Sequence, residues 1–174
     1  AAAAITEGDV TLEAMDPEHL DAIVWKLREA GAEVWTKRDS MRVRGPGALR
    51  AVNVQALPYP GFATDLQAAM GTLLTQAKGV SMLYERVYDN RLLYVSELRK
   101  LGAEIVVAGQ TAIISGPSPL IGSGVRALDI RSGAALILAG LRASGTTQVS
   151  DIWHLERGYE HLDEKLRGLG ADIT

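Results

Sequence analysis

The sequence predicts an α/β fold assembled from a repeated unit, with two full copies and the start of a third. Three observations predict it. The phrase LREAGAEV (27–34) returns as LRKLGAEI (98–105) and as LRGLGADI (166–173), 71 and 68 residues apart. Near-constant spacing of this kind is the signature of repeat architecture. Each phrase also reads as one event, a helix ending on Leu-Arg, a glycine at the C′ position, and an acidic-apolar start to a strand. Between the phrases, helical and strand periodicities alternate, as an α/β chain requires. The copies run approximately over 16–85 and 86–152, with a partial third over 153–174. At 174 residues the chain has room for one domain or two very small ones.

Within the first copy, Asp16-Pro17 is an N-cap followed by a first-turn proline. Leu20, Ile23, Val24 and Leu27 then recur at helical spacing. AEVWT and MRVRG flank the polar KRDS (37–40), a hairpin signal, and AVNVQAL (51–57) alternates like a strand. In TDLQAAMGTLLTQAKG (64–79), Thr64 and Gln67 predict a capping box, and Leu66, Met70, Leu73 and Ala77 form an apolar helical stripe. VSMLYE (80–85) is a further strand. The second copy follows the same order: a helix to Leu101, a hairpin in EIVVAGQTAIIS, strand VRALD, helix IRSGAALILAGLRA, strand TTQVSD. A third helix then closes at Gly170, with a strand expected to start at Ala171. The unit packs two helices against one sheet, and about three such units are needed to enclose a core. GPSPLIGSGV (116–125) reads as a loop, since no helix follows where a phosphate cradle needs one. Trp25, Trp35 and Trp153 are expected in the core or at its rim, and His154 and His161 in surface or packing roles.

Composition excludes several classes. The chain is 47% apolar and 22% charged, ordinary for a globular domain. A net charge of −3 and a pI near 5.6 favour neither nucleic acid nor an anionic membrane. There is no cysteine, so disulfides, thiolate catalysis and cysteine–zinc sites are excluded. His19, His154 and His161 are scattered and form no metal-binding pair. No apolar run approaches the roughly 20 residues of a membrane-spanning helix. The opening AAAAITEGD lacks the charged start and apolar centre of a secretory signal, so a cytoplasmic location is the default.

The copies also repeat charged residues. Matching acids open the two main helices, Asp65 in ATDLQ and Asp129 in ALDIR. After each main helix and its strand comes an acid followed six residues on by arginine, Glu85 to Arg91 and Asp151 to Arg157. Arg131 lies two residues after Asp129. If these loops gather at one end of the domain, two acids and three arginines converge at helix N-termini, a site for anions. Each residue also has a plainer reading: Asp65 and Asp129 as caps, Arg91 and Arg157 as solvated or locally paired.

PYPGFATDLQA, YERVYDNR, RALDIRSGAALILAGL and IWHLERGYEHLDEKLRGLGADI resemble, in this order, the C-terminal part of the UDP-N-acetylglucosamine enolpyruvyl transferases, which take the first committed step of peptidoglycan synthesis. The resemblance runs from Ala1 to Thr174. It implies one domain of a two-domain transferase, each domain an inside-out α/β barrel of three βαβαββ-type repeats, helices inside and sheets outside. Phosphoenolpyruvate and UDP-N-acetylglucosamine would bind between the domains, with no cofactor. By resemblance Asp65 handles the proton of the sugar 3-hydroxyl, and Thr64, Asp65, Val87 and Tyr88 contact the nucleotide sugar. Arg91, Arg131 and Arg157 clamp phosphoenolpyruvate, and Asp129 lies beside them; Asp65, Asp129 and Arg157 are the expected catalytic set. The other domain's mobile loop, bearing Cys or Asp, and the strands that complete the third repeat lie outside this sequence. The chain alone is therefore expected to be inactive. A non-catalytic scaffold or ligand-binding role is the principal alternative, and an RNA-binding module a remote one.

Overall fold

The computed structural model describes all 174 residues. A short helix α1 (Ala2–Ile5) and strand β1 (Asp9–Glu13) precede the first predicted copy. Asp16 then accepts a hydrogen bond from the Glu18 N–H, and a 3₁₀ turn over Pro17–Leu20 leads into α2 (Asp21–Glu29). The KRDS turn joins β2 (Glu33–Thr36) to β3 (Ser40–Arg44). The strand expected over 51–57 is instead two fragments, β4 (Leu49–Arg50) and β5 (Val54–Gln55). Between them side chains replace the ladder: the Val52 N–H donates to Ser81 Oγ, and Asn53 Oδ1 accepts from the Met82 N–H. A 3₁₀ turn (Thr64–Leu66) then leads to α3 (Gln67–Leu74) and β6 (Ala77–Tyr84). Helix α3 is shorter than its apolar stripe suggested. The Thr75 hydroxyl turns back onto the Thr72 carbonyl and ends it, and Ala77 belongs to the next strand.

The same order follows in α4 (Tyr94–Lys100), β7 (Glu104–Ala108), β8 (Thr111–Gly116), β9 (Gly124–Arg126), α5 (Ile130–Arg142) and β10 (Gln148–Ser150), before α6 (Trp153–Glu156) and α7 (Leu162–Gly168). Residues 117–123 form the expected loop. Ala171–Thr174 form no strand, because no neighbouring segment pairs with them.

The repeated phrase folds alike all three times. Gly31, Gly102 and Gly170 take φ of +105°, +93° and +98°, the left-handed geometry that glycine adopts without steric cost. The following alanine N–H reaches back to the leucine carbonyl, Ala32 to Leu27, Ala103 to Leu98 and Ala171 to Leu166. Those leucines are buried. The arginine beside each donates to a carbonyl beyond the turn: Arg28 to Val34, Arg99 to Ile105 and Arg167 to Ile173. Arginine therefore ties each helix end to the segment that follows it.

Three sheets result. One is antiparallel, β1-β3-β2; one is a parallel pair, β10-β9; the third joins β4 and β5 to β6, then β8 and β7. In that third sheet β6, from the first predicted copy, pairs antiparallel with β8 of the second, from Gly79↔Gly116 to Tyr84↔Thr111. A sheet is thus shared between copies rather than owned by one. No sheet closes into a barrel. Helix α3 lies inside, buried at Gln67, Ala68, Met70, Gly71, Thr72, Leu73 and Leu74, and α5 packs against it.

The tryptophans depart from expectation. Trp25, Trp35 and Trp153 are 66%, 45% and 51% exposed. Trp35 pairs across β2–β3 with Arg42, and the Arg42 and Arg44 guanidiniums lie 5.5 and 5.7 Å from its ring. Trp153 stacks on His154. An outward strand position with a cation over the ring accounts for the exposure of Trp35.

The centre is packed closely enough to test. A Cβ on Gly71 would lie 2.5 Å from the Tyr94 hydroxyl oxygen, which is buried without a hydrogen-bond partner. Gly71→Ala should destabilise the domain by about 1–3 kcal/mol through overpacking. Tyr94→Phe removes the clashing oxygen and an unsatisfied polar group, and should restore much of that loss in the double mutant. Urea melts of the four proteins of this cycle check it; additive effects would contradict it.

Candidate functional site

Asp65 and Asp129 stand where α3 and α5 begin, but they are held differently. Asp129 is a full N-cap. Its Oδ1 accepts from the N–H groups of Arg131 and Ser132, and the Ser132 hydroxyl oxygen accepts from the Asp129 N–H. This is a capping box. Asp65 caps nothing. It lies in the 3₁₀ turn before α3, where Ala63 occupies the cap position without a side-chain bond. The capping box expected between Thr64 and Gln67 is absent, because Ala63 takes the cap position and Thr64 lies inside the turn. The Thr64 hydroxyl instead donates to Glu85 Oε2 at 2.7 Å.

Two arginines meet at Asp65. Arg91 Nη1 donates to Asp65 Oδ1 at 2.9 Å, and Arg131 Nη1 donates to the same oxygen at 3.2 Å. Arg131 Nη2 donates to Asp129 Oδ2 at 2.6 Å, so one guanidinium bridges the starts of both central helices. The Arg91 and Arg131 side chains are mostly covered, 18% and 24% exposed, whereas that of Asp65 is 71% exposed. No protein donor reaches Asp65 Oδ2. The Tyr88 ring lies under Arg91, 4.5 Å from its guanidinium carbon, within reach of a cation–π attraction.

Arg157 does not join this cluster. It ends α6 and forms no ion pair or side-chain hydrogen bond with the four residues above. Its neighbours do approach. A Cβ on Gly158 would collide with Ile130 at the start of α5. The Tyr159 hydroxyl pKa is raised, first by burial and then by the charge of Asp65. Arg157 and Tyr159 line an open groove of about 1470 Å³ between α5 and the C-terminal helices. The expected convergence therefore holds for Asp65, Asp129, Arg91 and Arg131, and Arg157 sits outside it.

The matched acid-to-arginine spacing conceals two different acids. Asp151 is a half-buried residue at φ +57°, paired with Arg126. Glu85 is 1% exposed and receives four hydrogen bonds, from Thr64 Oγ1, Gln67 Nε2 and the N–H groups of Val87 and Tyr88. Sequence reading marked Glu85 only as one end of that spacing. The available signal was its place: an acid closing an otherwise apolar strand end is buried or bound. Val87 and Tyr88, expected at the nucleotide sugar, are tied through their backbones to this carboxylate.

Stability separates the two helix-start acids. Asp129→Ala removes a cap and a partner of Arg131 and should cost about 1–2 kcal/mol. Asp65→Ala removes only exposed ion pairs and should change stability by no more than about 0.5 kcal/mol. Thermal unfolding of the two variants measures the difference; equal losses would place Asp65 among the structural residues.

The family model for EPSP synthase (3-phosphoshikimate 1-carboxyvinyltransferase) matches residues 1–166. The UDP-N-acetylglucosamine 1-carboxyvinyltransferase of Geotalea daltonii is 49% identical over 172 residues, covering 99% of this chain and 41% of that protein. The chain thus spans about two fifths of the length of the curated relatives it matches. The crystal structure of the enolpyruvyl transferase NikO from Streptomyces tendae superposes with a TM-score of 0.88 at 30% identity, over 99% of this chain and 42% of that one. EPSP synthase from Acinetobacter baumannii shares the fold, with a TM-score of 0.71 at 22% identity over 99% of this chain and 41% of its own. On the match over 1–166, the chain belongs to the EPSP synthase (3-phosphoshikimate 1-carboxyvinyltransferase) family.

Proposed function

We propose that this chain is one domain of a two-domain UDP-N-acetylglucosamine 1-carboxyvinyltransferase. The whole protein would move the enolpyruvyl group of phosphoenolpyruvate to the 3-hydroxyl of UDP-N-acetylglucosamine, in the cytoplasm, with no cofactor. The observation that carries this reading is the exposed Asp65 carboxylate, held through Oδ1 by two arginines while Oδ2 has no protein donor. Such a group can accept a hydroxyl proton beside positive charge that neutralises an anion.

In this reading the sugar 3-hydroxyl oxygen bonds to C2 of phosphoenolpyruvate, and Asp65 takes the hydroxyl proton. C3 gains a proton from an acid of the second domain to give a tetrahedral adduct. The C2–O bond to phosphate then breaks, C3 returns a proton to the conjugate base of that acid, and inorganic phosphate leaves. Arg91 and Arg131 offer planar forks to the phosphate and carboxylate. Arg157 would join them across the groove, and Asp129 orients Arg131 while capping α5. Thr64, Val87 and Tyr88, which all donate to Glu85, would contact the nucleotide sugar. The domain division into copies at 16–85, 86–152 and 153–174 belongs to the same proposal, as does the second domain that completes the site.

Phosphate release, followed with both substrates, tests it. The two-domain protein should turn over and the 174-residue chain alone should not. Arg91→Ala or Arg131→Ala in the two-domain protein should lower kcat/KM by about 10- to 150-fold, the worth of one charge-assisted pair of roughly 1.5–3 kcal/mol. Transfer by the isolated chain would overturn the shared-site reading. Unchanged kinetics in both variants would return the arginines to a structural role.

A further inference from the structure

We infer that Glu85 is a positioning residue of this site: its buried carboxylate locks the turn that carries Asp65 to the loop that carries Arg91. The inference rests on the transferase reading above and adds a residue to it.

The two oxygens of Glu85 serve two segments. Oε2 accepts from Thr64 Oγ1 at 2.7 Å and Gln67 Nε2 at 3.4 Å, both on the entry to α3. Oε1 accepts from the N–H groups of Val87 at 2.8 Å and Tyr88 at 3.3 Å, both on the loop after β6. The Glu85 N–H donates to the Gln110 carbonyl, which fixes the backbone at the sheet. An ionised carboxylate offers about four acceptor sites, and these donors fill them. A buried charge tolerates no loss of partners, since each missing bond leaves a desolvated acceptor. Neither segment can shift without such a loss.

The visible contact between the segments is much softer. Asp65 and Arg91 meet at 2.9 Å, but the Asp65 side chain is 71% exposed. Exposed ion pairs contribute little and do not hold two loops in register. Glu85 supplies the rigid link behind them, one residue from Asp65 through Thr64 and three residues from Arg91 through Tyr88. The Tyr88 ring under Arg91 carries the same constraint forward. Tyr94, buried nearby, does not add a competing anion: burial first, then the charge of Glu85, pushes its hydroxyl pKa up, so it stays protonated.

A chemical consequence follows for Thr64. Its hydroxyl proton is committed to Glu85. Toward a ligand the hydroxyl therefore presents only lone pairs, and its partner there must be a donor, such as a sugar hydroxyl or an amide N–H.

The test is made in the two-domain protein, with kcat, KM for each substrate and Tm read in parallel. Glu85→Gln keeps the shape but turns an NH₂ toward donors. It should lower kcat at least tenfold at a temperature where circular dichroism shows the variant folded. Thr64→Ser keeps the hydroxyl and its bond to Glu85, and should lose less kcat than Thr64→Val. Thr64→Val should lower kcat, and combined with Glu85→Gln should add less than its separate effect, because both break one bond. A folded Glu85→Gln variant with reduced Tm but unchanged kcat and KM would overturn the positioning role. If that variant does not fold, the Thr64 pair decides: equal kinetics for Val and Ser would overturn it. An unmodified protein without transferase activity overturns the functional reading and this role with it, whereas an active one with an indifferent Glu85→Gln overturns the role alone.

Discussion

The burial of α3 on nearly every side constrains the rest of this domain. A helix covered by sheets and by a second helix has no polar face to spare. Ala68 to Leu74 accordingly carries mostly small and apolar residues, with Gly71 seated against Tyr94. Function can emerge only at the helix end. Helix α5 packs beside α3, so the two starts lie together and their acids share one arginine. The cluster of Asp65, Asp129, Arg91 and Arg131 is the polar edge that an apolar centre leaves.

Charges at that edge divide into fixed and free. Glu85 and the cap of Asp129 are saturated with hydrogen bonds and hold backbone in place. Arg131 is half of each kind, anchored by Asp129 and offered to Asp65. Asp65 is exposed, capless and held through a single oxygen. The hydrogen-bonded carboxylates and the exposed one are therefore different residues, with Arg91 and Arg131 as the partly covered groups between them.

Much of this was legible in the residues. The thrice-repeated phrase marked three helix ends, and each closes with the same glycine geometry and the same arginine-to-carbonyl tie. Both hairpins and α5 lie where periodicity placed them. What escaped depended on distant partners. The helix entry began one residue early, at an Ala63 cap, and the Thr64 hydroxyl donates to an acid 21 residues away. The alternating run 51–57 broke where Ser81 and Asn53 side chains replaced ladder bonds. Trp35 went outward because its strand register set it opposite Arg42. Glu85 and Asp151 share a spacing but not an environment, and spacing alone cannot separate a buried carboxylate from a half-exposed one. Of the inside-out α/β barrel expected from resemblance, the α/β fold with mixed sheets is present, and its three sheets do not close.

The claim that matters most is that Asp65 is chemical rather than structural. Asp65→Asn in the two-domain protein tests it in one comparison, because asparagine keeps the shape and loses the base. The expected result is turnover reduced by about 10²–10⁴, the usual worth of a positioned general base, with Tm and nucleotide-sugar binding nearly unchanged. Near-normal turnover would contradict it, as would a loss of turnover matched by unfolding.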